Sequence, residues 1–501
     1  MPTREVEIPS YSRAASRRVR LWPRAVWLRM LIGCLLVVVA TAATVTTGVL
    51  LEVKSFTDAL KLSPQLKLGS ELASANAGGA QTILLIGSDK RATGAIDASS
   101  PPHSDTMLLV RLDPGQPDTT MLSIPRDLKV TIHPFHGAAT TQKINAAYSI
   151  GGPRLTVKTI KQLLGIQINH VVDINFEGFK ALVNYLGCVY VQVDRRYLNL
   201  NYGLAAGQTY SEINIQPGYQ KLCGQQALEY VRFRHADTDL VRNARQQDFL
   251  RQIKNQLGAS GLVSRRSGLE KIFGRYSSTD IRSSDSVLQL LELLVQSASH
   301  PIHQVIFQAA LGPSYVTATA GQLHQTVHEF LHGGVANGHI TVAVASGHKH
   351  THSAASVPLS SATSSELGQA HTVATNMPIP VYFPVRRVTT AAAAPDDMRS
   401  YFLPDRMHHE HYAYVDVIGE GLIGQYYDLE GTDWANPPML ANPNQTITLG
   451  GRKFELFFEG QRLRIVAWHK GPAVYWVINT LQNILTNHQM LAIAQDARVV
   501  H

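Results

Sequence analysis

The length, composition and charge of the chain narrow the kinds of protein it can be. Its 501 residues, 45% hydrophobic and 16% charged, are typical of a globular protein with two folded units and accessory segments. The net charge is +8, but seven arginines and two glutamates give residues 1–29 alone a net charge of +5. The basic balance therefore belongs mostly to an N-terminal arm, and nucleic acid is not an expected partner.

A membrane-spanning helix is the first predicted element. Residues 30–51 contain no charged side chain, and this run is long enough for a helix to cross a bilayer core of roughly 30 Å. The arginines before this run predict a cytoplasmic arm at 1–29, a single-pass type II anchor in the plasma membrane, and an extracytoplasmic remainder that begins with a stalk at 52–79. A cleaved signal peptide and a buried core helix are the alternatives.

A first folded unit is predicted at 80–260. Short apolar runs predict strands, and apolar residues at helical spacing predict helices. In chain order we expect strands at 82–87, 106–112 and 119–124, a helix at 151–166, a strand followed by a helix over 170–187, and a strand at 189–193. This order favours an α/β fold with a central mixed sheet.

The remaining chain divides into three further segments. Residues 261–345 read as an extension of the first unit, with helices at 286–298 and 322–332 around a strand at 303–309. Residues 346–377 are rich in Ser and His and predict a flexible linker. A small α+β domain, to which no function can be assigned, is predicted at 378–498, with strands near 412–418, 453–457, 463–468 and 473–478 and a closing helix near 480–496.

The segment 229–252 places several arginines where partial burial is expected. Arg232 and Arg234, two apart on a predicted strand, would share one face. Beyond Asp239, a candidate N-cap, the apolar stripe of the next helix passes through Arg242 and Gln246. A core-facing arginine needs an anionic partner, so the segment predicts either a bound anion or internal salt bridges.

Acidic residues are expected beside these arginines. If the first three strands pair as an antiparallel meander, then Asp89, Asp105 and Arg126 meet at one edge of the sheet. Carboxylates suit a hard divalent cation such as Mg²⁺, and arginine forks bind phosphate. The combination favours a pyrophosphate ligand over a single carboxylate.

These segments resemble the LytR-CpsA-Psr (LCP) family. The stretches "TILLIGSDKR", "SDTMLLVRLDP", "SIPRDLKVTI", "KINAAYSIGGP", "INFEGFKALVNYLG", "CGQQALEYVRFRH" and "DLVRNARQQDFL" follow the family's order over about residues 80–260. The resemblance implies an α/β/α-type fold and an enzyme that moves a wall glycopolymer from a polyprenyl-pyrophosphate carrier onto peptidoglycan. The alternatives are a non-catalytic binder or regulator of lipid-linked glycans and a polyprenyl-pyrophosphate hydrolase.

The same resemblance assigns roles to individual residues. Asp89 and Asp105 resemble the aspartates associated with Mg²⁺ or Mn²⁺, and together with Arg126 they are the candidate catalytic residues. The candidate pyrophosphate contacts are Arg126, Arg232, Arg234, Arg242 and Gln246. His103 stands where the family usually has arginine, which weakens that part of the phosphate clamp because imidazole offers no bidentate fork. Arg245 has no family counterpart and remains a salt-bridge candidate.

The cysteines suggest a disulfide. Cys188 and Cys223 are the only two cysteines in the predicted extracytoplasmic part, where the environment is oxidising. Two buried free thiols are the alternative. The family resemblance favours pairing, because Cys188 replaces the second glycine of a "GGV" pattern and Cys223 precedes "GQQAL".

Overall fold

The computed structural model describes residue 58 and residues 64–76, 78–89, 102–201, 212–233, 238–297, 300–333, 359–388, 398–421 and 424–500. The predicted arm and membrane helix, residues 52–57, 59–63 and 77 of the predicted stalk and residues 346–358 of the predicted linker lie outside these ranges. Within the ranges, no helix is both long enough and apolar enough to cross a membrane. Phe56–His501 form one compact unit, which includes both predicted folded units.

Helices are found along most of the described chain. They are α1 (Ala146–Leu164), α2 (Phe176–Tyr185), α3 (Gly224–Arg232), α4 (Asp239–Ser264), α5 (Arg266–Tyr276), α6 (Ser284–Gln296), α7 (Ala320–His332), α8 (Ser364–Ala374) and α9 (Asn487–Asp496).

The strands are numbered in chain order. They are β1 (Gln81–Ser88), β2 (Ser104–Leu112), β3 (Thr119–Ser123), β4 (Lys129–Ile132), β5 (Thr140–Lys143), β6 (His170–Asn175), β7 (Val189–Val193), β8 (Tyr197–Asn199), β9 (Ile213–Ile215), β10 (Gly218–Leu222), β11 (Ser277–Thr279), β12 (Ile302–Val305), β13 (Ala310–Leu311), β14 (Val316–Thr317), β15 (Leu359–Ser361), β16 (Val381–Pro384), β17 (Arg386–Val388), β18 (Met398–Pro404), β19 (Glu410–Gly419), β20 (Tyr426–Thr432), β21 (Gln445–Leu449), β22 (Arg452–Glu459), β23 (Arg462–Lys470), β24 (Ala473–Ile478) and β25 (Ala497–Val500).

A six-stranded mixed sheet lies at the centre of the first half, in the order β11-β6-β1-β2-β3-β12. Strands β1, β2 and β3 pair as the predicted antiparallel meander, while β6 pairs parallel with β1 and β12 parallel with β3. The mixed sheet with its flanking helices confirms the α/β prediction. Its core packs sheet side chains such as Leu84 and Leu109 with Leu155 and Ile160 of α1, all fully buried.

The C-terminal part is built on a seven-stranded antiparallel sheet, in the order β18-β19-β20-β24-β23-β22-β21. The predicted strands are present, and β18, β20 and β21 join them. The closing helix begins at Asn487 rather than near 480, because the Asn479 side chain bonds to the backbone of Leu463, Thr480 and Leu485 and so holds a loop. Thr486 then caps α9 with a capping box.

The second half of the predicted linker is ordered secondary structure, which corrects that prediction. Residues 359–361 form a strand paired with β17, and residues 364–374 form α8. Thr363 and Glu366 make a reciprocal capping box at the start of α8. Ala370 and Val373 on the same helix are buried in the core of the C-terminal sheet.

Strands β7 and β10 form a two-stranded antiparallel ladder, which contacts the C-terminal sheet. Tyr190 and Tyr219 of this β7–β10 ladder share an apolar cluster with Trp476 and Leu403. The predicted small α+β domain therefore packs directly against the first unit through buried aromatic side chains.

A disulfide joins Cys188, just before β7, to Cys223, just after β10, as predicted. Cys188 has a φ of 67°, a left-handed conformation that glycine adopts at little cost. This explains why a glycine would be suitable at that position. Because Cys223 is also the N-cap of α3, the bridge fixes the start of the helix that ends at Arg232.

Candidate active site

One edge of the central sheet positions the acidic residues of the site. Asp89 directly follows β1, and Asp105 is the second residue of β2. The register pairs Gly87 with Thr106 and Ser88 with Ser104, so Asp105 is the extra residue of a β-bulge. A bulge changes the direction of a side chain, and here it lies at the end of the sheet beside the site.

Two helices contribute the opposite wall. Arg232 is the last residue of α3, so the prediction that it lies on a strand was wrong. Residues 227, 228 and 231 form the buried, helically spaced face of α3. Arg242 and Gln246 lie one turn apart on α4 and share one face of that helix. Arg234 lies outside the described residues.

Asp105 joins the two walls. Its Oδ1 accepts a hydrogen bond from Arg126 Nη1 at 2.5 Å, and its Oδ2 accepts one from Arg232 Nη2 at 3.1 Å. The Arg232 guanidinium also lies 3.9 Å from the centre of the Phe176 ring. Both arginines are thus held in position by a carboxylate, and one is also held by an aromatic face.

A second group of charges lies deeper. Arg242 Nη2 is 2.5 Å from Asp239 Oδ1, and both residues are buried. Burial is the main cause that lowers the pKa of Arg242, with Asp239 opposing it. Lys143 Nζ lies 2.9 Å from Asp127, whose backbone N–H donates to Asp239 Oδ2 at 3.3 Å.

These side chains surround one cavity of about 700 Å³. Its lining residues are Asp89, His103, Asp105, Arg126, Asp127, Lys143, Asn145, Arg232, Arg242 and Gln246. All the site residues predicted from the sequence, Arg234 apart, lie in this set. Four cationic side chains and three carboxylates line the cavity, and Asp239 pairs with Arg242 behind them, so the local charges balance. The guanidinium forks can still bind an anionic ligand that brings its own cation.

Three lining residues were not predicted: Asp127, Lys143 and Asn145. Asp127 follows Arg126 in the "PRD" stretch, and Lys143 and Asn145 belong to the "KIN" stretch, where β5 ends before α1. The signal was present, because both stretches lie in motifs that carry the family resemblance. No local pattern in the sequence shows that the end of β5 contacts the segment that follows β3.

Among the buried polar atoms of this cavity that lack a hydrogen-bond partner in the described residues are Nε of Arg242 and Oε1 of Gln246. The amide nitrogen of Gln246 donates to the Val231 carbonyl at 3.1 Å, so its oxygen faces elsewhere. Buried polar groups are nearly always paired, and an unpaired donor and acceptor in one cavity are well suited to a polar ligand.

The donor set suits a hard divalent ion only when the ligand contributes oxygens. Among the described residues, no group of three His, Cys, Asp or Glu side chains could hold a metal. Asp89 and Asp105 offer carboxylates, but one Asp89 oxygen accepts the His103 N–H at 2.6 Å, and both Asp105 oxygens accept from arginines. Mg²⁺ fits such a site, since it takes one or two carboxylates and completes its shell with water and phosphate oxygens.

Arg245 has a structural position outside the cavity. It is fully buried, and its guanidinium donates to the Tyr197 hydroxyl and to the backbone carbonyls of Tyr230 and Phe233, each at 3.1 Å. A cation at the last carbonyls of a helix is favourable, and here it stabilises the end of α3 beside Arg232. The salt bridge proposed for Arg245 stays a prediction, and the contacts described here are to carbonyl and hydroxyl oxygens.

Comparison with known proteins gives a consistent family assignment. The LytR_cpsA_psr family model matches residues 47–329. The chain is 37% identical over 174 residues to the polyisoprenyl-teichoic acid–peptidoglycan teichoic acid transferase TagT of Bacillus subtilis, covering 34% of this chain and 51% of TagT. It is 30% identical over 203 residues to TagU of Halalkalibacterium halodurans, with 40% of this chain and 61% of TagU covered. A third relative, biofilm regulatory protein A of Streptococcus mutans, is 30% identical over 220 residues, which is 42% of this chain and 52% of that protein.

The chain therefore spans about half to three-fifths of the length of these curated relatives. Among solved structures, B. subtilis TagV has a TM-score of 0.41 at 28% identity, covering 50% of this chain and 96% of TagV. A Streptococcus agalactiae protein has a TM-score of 0.44 at 26% identity, covering 52% of this chain and 90% of that one.

Proposed function

The chain belongs to the LytR-CpsA-Psr family, and from this premise we propose that it is a membrane-anchored, extracytoplasmic phosphotransferase. It would move a glycopolymer from a polyprenyl-pyrophosphate carrier onto peptidoglycan with Mg²⁺, or Mn²⁺, as cofactor. The printed names of TagT and TagU, polyisoprenyl-teichoic acid–peptidoglycan teichoic acid transferases, support this class of reaction.

The observation that carries the proposal is the pair of arginines on Asp105 inside a cavity that also contains Lys143 and Arg242. Guanidinium forks bind phosphate oxygens in the same bidentate geometry in which they bind carboxylate. An entering pyrophosphate would therefore compete with Asp105 for Arg126 and Arg232. The unpaired Nε of Arg242 would gain a partner.

The reaction is a phosphoryl transfer. A hydroxyl of the acceptor glycan, by family analogy the C6 hydroxyl of N-acetylmuramic acid, attacks the phosphorus nearest the polymer. The bond from that phosphorus to the bridging oxygen breaks, and polyprenyl phosphate leaves with the electron pair. Asp89 or Asp105 accepts the hydroxyl proton. Mg²⁺ would neutralise charge on the phosphate oxygens, and Arg126, Arg232 and Arg242 would stabilise the charge that develops on the bridging oxygen.

The proposal is tested with the full-length protein, polyprenyl-pyrophosphoryl glycan and Mg²⁺, with and without peptidoglycan oligomers. We expect covalent transfer of the glycan only when the acceptor is present. Mass spectrometry of the product measures this transfer. Release of glycan phosphate and polyprenyl phosphate without acceptor would identify a hydrolase instead. Lipid bound without turnover would identify a binding or regulatory protein.

A further inference from the structure

A second, larger cavity of about 990 Å³ lies where α4 and α7 meet two loops of the C-terminal sheet. We call it the junction cavity. Its lining residues are Ser123, Leu240, Asn243, Ala244, Gln247, residues 303–308, His324, Gln325, His328, Glu329, Gly333, residues 459–462 and residues 481–484. The family match ends at residue 329, so the loops at 459–462 and 481–484 come from the part of the chain beyond it.

Side-chain amides are the most frequent polar groups of this lining. They belong to Asn243, Gln247, Gln304, Gln308, Gln325, Gln461, Gln482 and Asn483. Each amide offers both hydrogen-bond donors and an acceptor, as a sugar hydroxyl or an acetamido group requires of its partner. The chemistry differs from that of the active-site cavity, where guanidinium and carboxylate groups predominate.

The few charged groups of the junction cavity are largely compensated. Glu329 Oε1 lies 2.9 Å from His303 Nε2, and Glu459 Oε2 lies 2.5 Å from Arg251 Nη1. Arg462 adds one positive charge. A ligand for this cavity is therefore expected to be neutral and rich in hydroxyl or amide groups.

Several buried polar atoms of the lining residues have no hydrogen-bond partner among the described residues. They are Ser123 Oγ, Asn243 Nδ2, His303 Nδ1 and Asn483 Oδ1. Asn243 is only 6% exposed and Ser123 only 2%. Unpaired buried groups are costly, so these side chains have hydrogen-bonding capacity that the described part of the fold does not use.

Helix α4 forms a wall of both cavities. Arg242 and Gln246 line the active-site cavity, whereas Asn243 and Gln247, one position further along the helix, line the junction cavity. Successive residues of a helix are rotated by about 100°, so the two cavities occupy adjacent faces of one helix roughly 10 Å across. The two cavities therefore share this helix as a common wall.

We propose that the junction cavity binds a neutral saccharide chain through the amides of α4, α7 and the C-terminal loops. The saccharide has two possible sources: the polymer attached to the lipid carrier, or the N-acetylated glycan strand that accepts it. These two sources rest on the proposed function, whereas saccharide binding itself is measured without turnover.

The test is calorimetric titration of the full-length protein with two neutral probes, an N-acetylglucosamine tetramer and a maltotetraose. We expect at least one probe to bind. Preference for the acetamido probe would indicate the acceptor strand, and preference for the plain hexose probe would indicate the polymer. Asn243→Leu and Gln325→Ala should each weaken binding by about five- to tenfold, the effect of one lost neutral hydrogen bond.

Stability measurements separate binding from folding. Asn243→Leu removes an unpaired buried donor, so its melting temperature should be unchanged or higher, whereas a structural amide would lower it. Gln325 is exposed, and its replacement should not affect folding. Gln252→Leu is the matched control: Gln252 lies on α4, is 6% exposed, has an unpaired oxygen and lines neither cavity.

Failure of this proposal is distinguishable from failure of the proposed enzyme. Arg232→Ala should leave saccharide binding intact while it weakens binding of inorganic pyrophosphate with Mg²⁺. The saccharide proposal is overturned if neither probe binds at millimolar concentration, or if Asn243→Leu and Gln325→Ala bind as tightly as the Gln252→Leu control.

Discussion

At the scale of single residues, Asp105 organises the site. It is the extra residue of a β-bulge, and each of its carboxylate oxygens accepts a hydrogen bond from a different arginine. Arg126 follows β3 and Arg232 ends α3, so one side chain links two distant segments. Each charge-assisted bond contributes about 1.5–3 kcal/mol, enough to hold the guanidinium groups where a phosphate could replace the carboxylate.

Replacing Arg232 should reduce transfer without unfolding the protein. Arg232→Ala removes one of the proposed phosphate contacts, and we expect the rate of glycan transfer to fall at least about tenfold. Arg111→Ala is the matched control, because Arg111 pairs with Asp113 at 3.0 Å and lies outside the cavity. Equal rates in the two variants would place the phosphate elsewhere.

His103 offers a gain-of-function test. Its backbone N–H holds Asp89 Oδ1, and this contact is independent of the side chain. His103→Arg should add a bidentate fork to the cavity and raise the affinity for pyrophosphate with Mg²⁺ by about tenfold, measured by calorimetry. His103→Gln is the control, since it offers no positive charge. An affinity that does not rise in the arginine variant would show that this edge of the cavity does not contact phosphate.

Among the helices and strands, the β7–β10 ladder and its disulfide position α3. The bridge links the residue before β7 to the N-cap of α3, which ends at Arg232. Arg245 binds the carbonyls at the other end of that helix. The helix that presents Arg232 is therefore held at both ends, by a covalent bond and by a buried cation.

Removing the disulfide should lower stability substantially. The bridge closes a loop between residues separated by 35 positions, for which chain entropy gives about 4 kcal/mol. We expect Cys188→Ser with Cys223→Ser to lower the free energy of unfolding by about this amount, measured by urea denaturation. Because Cys188 has a φ of 67°, Cys188→Gly with Cys223→Ser should recover about 1–2 kcal/mol of that loss. Equal stability of the two double variants would contradict the backbone argument.

In the molecule as a whole, a buried polar network joins the β7–β10 ladder to the C-terminal sheet. Glu430 of β20 accepts hydrogen bonds from the Tyr219 N–H at 3.2 Å, from the Tyr401 hydroxyl at 3.0 Å and from the Gln192 amide. Asp428 accepts from the same Gln192 amide at 2.8 Å. Burial is the main cause that raises the pKa of Glu430 to about 7, and it raises the pKa of Asp428 as well.

The contact between the β7–β10 ladder and the C-terminal sheet should therefore weaken as pH rises towards neutrality. In the unfolded chain the Glu430 carboxyl loses its proton near its ordinary pKa of 4.5, whereas in the folded protein it keeps the proton up to about pH 7. Between these values the folded state binds more protons, so the free energy of unfolding falls with increasing pH, by roughly 3 kcal/mol for this group.

The measurement is urea denaturation at pH 5 and pH 7.5. Glu430→Gln lacks the titrating group and should flatten the dependence relative to the wild-type protein. If the free energy of unfolding of the wild-type protein changes with pH no more than that of the variant, the assignment is contradicted. Glu410→Gln is the control, because Glu410 is exposed at the start of β19.

The meander of β1, β2 and β3 was predicted from the sequence, because apolar runs and turns are local signals, and with it the edge that brings Asp89, Asp105 and Arg126 together. The capping-box spacing of Thr363 and Glu366 was also a local signal, but the small-residue composition led to the prediction of a linker where α8 lies. The buried positions of α3 have helical spacing too, yet Arg232 was predicted on a strand.

Long-range packing determines which groups face one another. Arg232 reaches Asp105 across 127 positions, and Lys143 lines the same cavity. The C-terminal loops likewise line a second cavity on α4. Such contacts leave no periodic trace in the chain, because each depends on how whole elements pack rather than on the residues beside it.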